Sequence, residues 1–145
     1  MMPYIKKELR PIFDFAVHSA QMDYVGYVAN ITVECIKFGI KDMSPEDMDG
    51  CLNYVFTQLL RKLENLTYAK IIMSITLNDL FWMKPKYFRY ERVKGLLGCM
   101  IDEYRRRAWR RQRKVVRILK KLLETNAYKL SVYEEDKIKE NGDLQ

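Results

Sequence analysis

The sequence predicts an all-α protein, a bundle of about four helices with a long, basic C-terminal helix. Three observations carry that expectation. Apolar residues recur at spacings of three and four along most of the chain, which is the period of one helix face. Glycine (6) and proline (4) are too scarce for the frequent turns of an all-β fold. A chain of 145 residues, 48% of them hydrophobic, is long enough for one domain with a sizeable core and too apolar for wholesale disorder. The expected organisation is a single helical domain over 1–131 and a C-terminal tail over 132–145.

The first helix is expected to open at Pro11, whose missing N–H suits a first turn, and to run to Phe38. Its inner stripe reads Phe13, Val17, Ala20, Tyr24, Val28, Ile31, Cys35 and Phe38. Lys37 in the last turn and Gly39 after it form a stop signal. Gly26 weakens the middle by about 1 kcal/mol relative to Ala and allows a bend there.

Ser44-Pro45-Glu46-Asp47 starts the second helix. Serine caps free amides, proline fits the first turn, and two acids favour the positive end of the helix dipole. Leu52, Val55, Phe56, Leu59, Leu60 and Leu63 share its apolar face, with Arg61, Lys62 and Glu64 outside it, and Asn65 ends or kinks it. From Tyr68 to Met83 a richer apolar run includes Ile71, Ile72, Ile75, Leu77, Leu80, Phe81 and Trp82. It is long for a strand, so it reads as a third helix buried on more than one side and stopped by Pro85.

The last helix is expected to begin between Tyr87 and Glu91 and to continue to about Glu124, with Val93, Leu97, Met100, Tyr104, Ala108, Val115, Leu119 and Leu122 inward. A helix of that length is roughly 50 Å long, more than one domain of this size covers. Its second half therefore projects, breaks, or packs on another subunit. The final stretch, with Asn141-Gly142-Asp143 as turn chemistry, reads as the tail.

Charge is concentrated in Arg105 to Lys121, where ten of seventeen residues are basic and none is acidic, which leaves 16 basic against 19 acidic residues elsewhere. On one helix, Arg106, Arg110, Arg113, Arg117 and Lys120 would form an outward ladder, with Arg107, Arg111, Lys114 and Lys121 beside it. Such a ladder suits nucleic-acid phosphates, and arginine grips phosphate with two parallel N–H donors. A second reading is an assembly helix facing an acidic protein surface, such as Glu134-Glu135-Asp136 of a neighbour. Contact with an anionic membrane surface through Trp109 and the adjacent apolar residues ranks below these, and a solvated helix packing on its own core stays open.

Other chemistries find few residues. Cys35, Cys51 and Cys99 are isolated, without metal-ligand spacing, and read as free buried thiols in a reducing cytoplasm. His18 is the only histidine, with Asp14 one turn before it, and reads as structural. The carboxylates Glu46, Asp49, Asp79, Glu91, Asp102 and Glu103 do not form the two facing pairs that a helical Mg²⁺ site uses. No phosphate-binding glycine loop or nucleophile elbow occurs. No catalytic residue, metal set or cofactor is therefore expected. No apolar run approaches the roughly 20 residues of a membrane span, and MMPYIKKELRP lacks a signal-peptide core. Asn53, Tyr54, Thr57 and Gln58 are polar on an otherwise apolar helix. They could line a pocket between subunits or bridge neighbouring helices.

Met2-Pro3-Tyr4-Ile5-Lys6, Gly50-Cys51-Leu52-Asn53-Tyr54-Val55, Tyr104-Arg105-Arg106 and Tyr133 to Asp143 stand in an order that resembles a small family of bacterial and bacteriophage proteins of unknown function. Members open with MPYI, carry a GELNY-like helix and a YRR-like element, and end in NGD. Here Cys51 stands where the family has Glu, and about 25 residues, roughly Arg107 to Ser131, separate the YRR element from the tail. The resemblance implies a cytoplasmic helical protein and carries no catalytic residues. The basic segment is then largely an elaboration of this chain.

The functional expectation is a non-enzymatic helical protein that self-associates as a homo-oligomer and presents an arginine-rich helix to anionic partners, nucleic acid or an acidic protein surface. The alternatives are a structural homo-oligomer without a nucleic-acid role and a phage-related small-nucleotide-binding module.

Overall fold

Two of the four expected helices are each broken in two. The computed structural model describes residues 5–141, and all regular structure among them is helical: α1 (Arg10–Gln21), α2 (Ala29–Ile40), α3 (Pro45–Lys62), α4 (Leu66–Leu77), α5 (Tyr87–Arg107) and α6 (Gln112–Asn141). A short 3-10 turn, Lys7–Leu9, precedes α1. The opening Met2-Pro3-Tyr4 and the closing Gly142-Asp143 lie outside the described residues.

The first break follows from Asp23. Its carboxylate accepts from the backbone N–H of Gly26 (3.0 Å), Tyr27 (3.1 Å) and Val28 (2.9 Å), satisfying amides at the entry to α2 that no helical carbonyl can reach. Gly26 sits at φ +77°, a backbone that a Cβ disfavours. The non-helical link over 22–28 resets the helical phase. Thr32, Val33, Ile36 and Ile40 become the buried face of α2, whereas Tyr24, Ile31 and Phe38, expected inside, are exposed.

The second helix starts as its sequence implies, with Ser44 Oγ accepting from Asp47 N–H at 3.3 Å. Asn65 belongs to the next helix: its side chain accepts from Tyr68 N–H at 3.1 Å and caps α4. After Leu77 the chain passes through a π-type turn, Asn78–Trp82, closed by Met83 N–H donating to the Asn78 carbonyl at 2.9 Å. The extra residue in that turn shifts the helical register so that Phe81 and Trp82 both point inward.

The second break divides the basic segment. Ala108 ends α5 in the left-handed conformation (φ 48°) and Arg111 repeats it (φ 62°). Helices commonly end this way, although usually on glycine. The chain then returns along α5, with Tyr104 meeting Trp109 edge to face at 4.7 Å and Tyr133 stacking obliquely on Tyr90 at 5.5 Å. The expected continuous helix through Ala108 is therefore a hairpin. The expected tail is helical as far as Asn141, and α6, about 45 Å long, extends beyond Tyr90 with residues 134–141 exposed.

The helices pack in order. The α1–α2 hairpin rests on α3 and α4, which in turn rest on α5 and α6. The middle pair is covered on both sides, and so α4 is apolar around most of its circumference. Gly39 sets the closeness of α1 and α2, since a Cβ there would stand 2.9 Å from the buried ring of Phe13.

Candidate anion-binding site

The basic residues lie on three supports instead of one ladder, because the α5–α6 turn interrupts the helix phase. Arg106 and Arg107 end α5 and ion-pair with Glu103, Arg107 at 3.0 Å. Arg110 is exposed in the turn. Arg113, Lys114, Arg117, Lys120 and Lys121 are exposed on the first half of α6. Residues 113, 117 and 120 share one helix face over about 10 Å.

Arg111 has a different task. Its guanidinium donates to the carbonyls of Leu63 (2.8 Å), Arg61 (2.9 Å), Leu60 (3.2 Å) and Glu64 (3.4 Å). These are carbonyls at the C-terminal end of α3 that have no amide to receive, and a cation there also meets the negative end of the helix dipole. Arg111 is committed to the fold and is not free to hold a ligand.

That contact brings Arg61 and Lys62, both exposed, beside the basic segment. Trp109 is flanked by the guanidinium carbons of Arg61 and Arg107, at 5.2 Å and 5.6 Å from its ring centre. The neighbouring Tyr104 phenol is pushed up to about 12 by burial, against the opposing charges of Arg61 and Arg111. It therefore stays neutral. Among the described residues, Arg110, Arg113, Lys114, Arg117 and Lys120 take part in no ion pair; those formed belong to Lys37, Arg92, Arg106, Arg107, Lys137 and Lys139. The sequence did not point to Arg61 and Lys62 as part of this surface, because only the capping contact of Arg111 brings them there.

The polar group on α3 does not converge on one pocket. The Tyr54 hydroxyl donates to Asp14 Oδ1 at 2.8 Å, bridging α3 to α1, and Thr57 donates to Asn53 Oδ1 at 3.2 Å within the helix. Gln58 is half-buried. Burial, together with the Asp14 hydrogen bond, raises the Tyr54 phenol to about 12. His18 is exposed, and Asp14 serves Tyr54.

The acidic residues are similarly dispersed. Asp49 ion-pairs with Arg92 at 2.7 Å and Asp79 with Lys37 at 3.4 Å, and Glu91 and Asp102 are exposed. Among the described residues no three His, Cys, Asp or Glu side chains gather as a metal site, and no helix is long and apolar enough to cross a membrane. Cys51 alone meets the expectation of a buried thiol, raised to about 11 by burial and then by the charge of Asp47. Cys35 is half-buried and Cys99 exposed.

A second feature lies on the outer side of the α1–α2 hairpin. There a shallow groove of about 730 Å³ is lined by Pro11, Ile12, Phe15, Ile31, Cys35 and Phe38, with Asn30 and Glu34. Phe15 fell outside the inner stripe read from the sequence, which was the one available sign of a second apolar face. The sequence matches no protein-family model, and neither a curated protein nor a solved structure matches the chain.

Proposed function

We propose that the protein is a non-enzymatic binding and assembly module whose basic edge takes a polyanion, in the first place nucleic acid. The observation that carries this reading is the set Arg110, Arg113, Lys114, Arg117 and Lys120, exposed together without an ion-pair partner among the described residues. Cations kept close without counter-charge repel one another, so an anionic ligand that neutralises several at once gains both attraction and relief of repulsion. Phosphates along a backbone also release counterions when bound, which makes such binding steeply salt-dependent. Arg61 and Lys62 widen the surface, and Trp109, within cation–π reach of the Arg61 and Arg107 guanidiniums, adds an aromatic ring at its edge. Arg111 is not assigned to the ligand.

The second reading, a structural homo-oligomer without a nucleic-acid role, is favoured by the apolar groove on α1–α2. Self-association is common to both readings, which differ in the nucleic-acid role.

Size-exclusion chromatography with absorbance at two wavelengths separates the readings. Protein mixed with an unstructured oligonucleotide is expected to co-elute with it at about 50 mM salt and to release it by about 200 mM. Separate elution at the lower salt would overturn the polyanion reading.

A further inference from the structure

The two ends of the helix stack are finished differently. The outer side of α5–α6 carries exposed arginines and lysines, as the terminal layer of a stack of helix pairs does when it faces water. At the other end, α1–α2 leaves Phe15 61%, Ile31 57% and Phe38 63% exposed around the groove. These are large apolar side chains gathered in one place. The α5–α6 end also leaves Tyr87, Phe88 and Tyr128 exposed, but among its charges.

Size indicates what covers the α1–α2 end. With roughly 200 Å² for a fully exposed aromatic side chain, and somewhat less for isoleucine, Phe15, Phe38 and Ile31 together expose roughly 350 Å². A standard interface takes about 800 Å² from each partner, of which about 57% is apolar. These three side chains therefore supply about three quarters of the apolar area that one such interface takes from a partner. It is shallow and open, with Asn30 and Glu34 as its polar lining, unlike the enclosed sites that surround small ligands.

The surface also has the two parts that a self-complementary contact requires. Phe15 and Phe38 still present more than half their surface to solvent, and the space between α1 and α2 can receive such rings from another molecule. The basic first half of α6 of a second copy does not suit this surface, because burying its exposed arginines against phenylalanine would desolvate unpaired charge.

We infer that α1–α2 is a homodimer interface in which two copies meet groove to groove, with a pair of apolar helices from each. The inference rests on the self-association part of the function proposed above and names its surface. It leaves both basic edges outside the interface, so that one dimer offers two anion-binding edges.

Light scattering on the full chain, wild type and the single variants Ile31→Glu and Phe38→Glu, tests this at high salt, where charge-driven contacts are screened. The wild type is expected at twice the chain mass, and each variant at the chain mass with unchanged helical circular dichroism. Both substituted residues are more than half exposed, so the monomer fold does not depend on them. If the wild type is dimeric and both folded variants remain dimeric, the groove assignment is overturned while self-association stands. A wild type that is monomeric at every salt concentration overturns both. Should a variant lose helix content, hydrogen exchange of the wild type replaces it. Protection of residues 10–21 and 29–40 that rises with protein concentration supports the interface, and a rise confined to other helices overturns it.

Discussion

The Trp82 indole N–H donates to Asn126 Oδ1 at 2.9 Å, and the same amide donates from Nδ2 to the Tyr90 carbonyl at 3.0 Å. Asn126 is one of few buried polar side chains among the described residues, and through it α6 is fastened at once to the π-type turn and to α5. Each group it serves is shielded from water. Asn126→Leu would leave the indole N–H without a partner, at about 1–3 kcal/mol, and would remove the second of two bonds at the Tyr90 carbonyl, which keeps its helical N–H, at about 1 kcal/mol. A total loss of about 2–4 kcal/mol is expected from urea unfolding at neutral pH. A change under about 0.5 kcal/mol would show that water reaches both groups.

Arg111 combines an unfavourable backbone with a favourable side chain. The left-handed conformation costs a residue with a Cβ about 1–2 kcal/mol, and the hydrogen bonds to the end of α3 outweigh it. Arg111→Ala keeps the strain and loses the cap, so it should lower stability by about 2–3 kcal/mol. Arg111→Gly also loses the cap but relieves the strain, and should lie about 1 kcal/mol above the Ala variant. Arg111→Lys cannot fan out to several carbonyls and should not restore the wild type. Equal stability of all four proteins would mean that the cap contributes nothing.

Two glycines in helices should respond with opposite sign. Gly39→Ala gains about 1 kcal/mol of helix propensity, but the new methyl meets the fully buried Phe13 ring at 2.9 Å. Overpacking of that kind costs about 1–3 kcal/mol, so a net loss near 1 kcal/mol is expected. At Gly95 nothing stands within 4 Å of a Cβ, and Gly95→Ala should stabilise by up to about 1 kcal/mol. The pair of denaturant midpoints checks both, and a stabilised Gly39→Ala protein would mean that α1 and α2 can move apart.

The Asp23 cap gives acid sensitivity to the α1–α2 link. Burial raises the pKa of this carboxyl, but the Tyr68 hydroxyl and the N–H groups of Val28, Tyr27 and Val25 lower it, and the lowering prevails. A folded-state value below the unfolded one gives stabilisation that is complete above about pH 4 and is lost as pH falls through the folded value. Asp23→Ala should therefore be less stable at neutral pH and decline less between about pH 5 and 2 than the wild type. Parallel pH profiles of the two midpoints would contradict the cap.

Local signals were legible where the chemistry is local. Ser44 and Pro45 start α3 because a hydroxyl and a missing N–H act within one turn, and Pro85 ends the run behind it for the same reason. The break at residues 22–28 was harder to read, since apolar spacing continues across it from Val17 to Ile31 and the decisive carboxylate, Asp23, is an ordinary surface residue in sequence. The break at Ala108 and Arg111 carries no glycine to announce it. Its stabilisation comes from carbonyls about fifty positions away. The candidate site shows the same division. The charge of residues 105–121 was plain, but the withdrawal of Arg111 and the addition of Arg61 and Lys62 depend on how α3 meets the α5–α6 turn.

The most direct test of the polyanion reading is the slope of log affinity against log salt for a labelled DNA duplex, measured by fluorescence anisotropy. Arg113→Gln/Arg117→Gln/Lys120→Gln is expected to fold as the wild type does, to bind more weakly, and to show a slope shallower by about 3, since each lost phosphate contact removes about 0.9. Lys137→Gln/Lys139→Gln, at the far end of α6, should leave the slope unchanged. Equal slopes for the triple variant and the wild type, or no binding by the wild type at the lowest salt, would contradict the assignment of this edge to a polyanion.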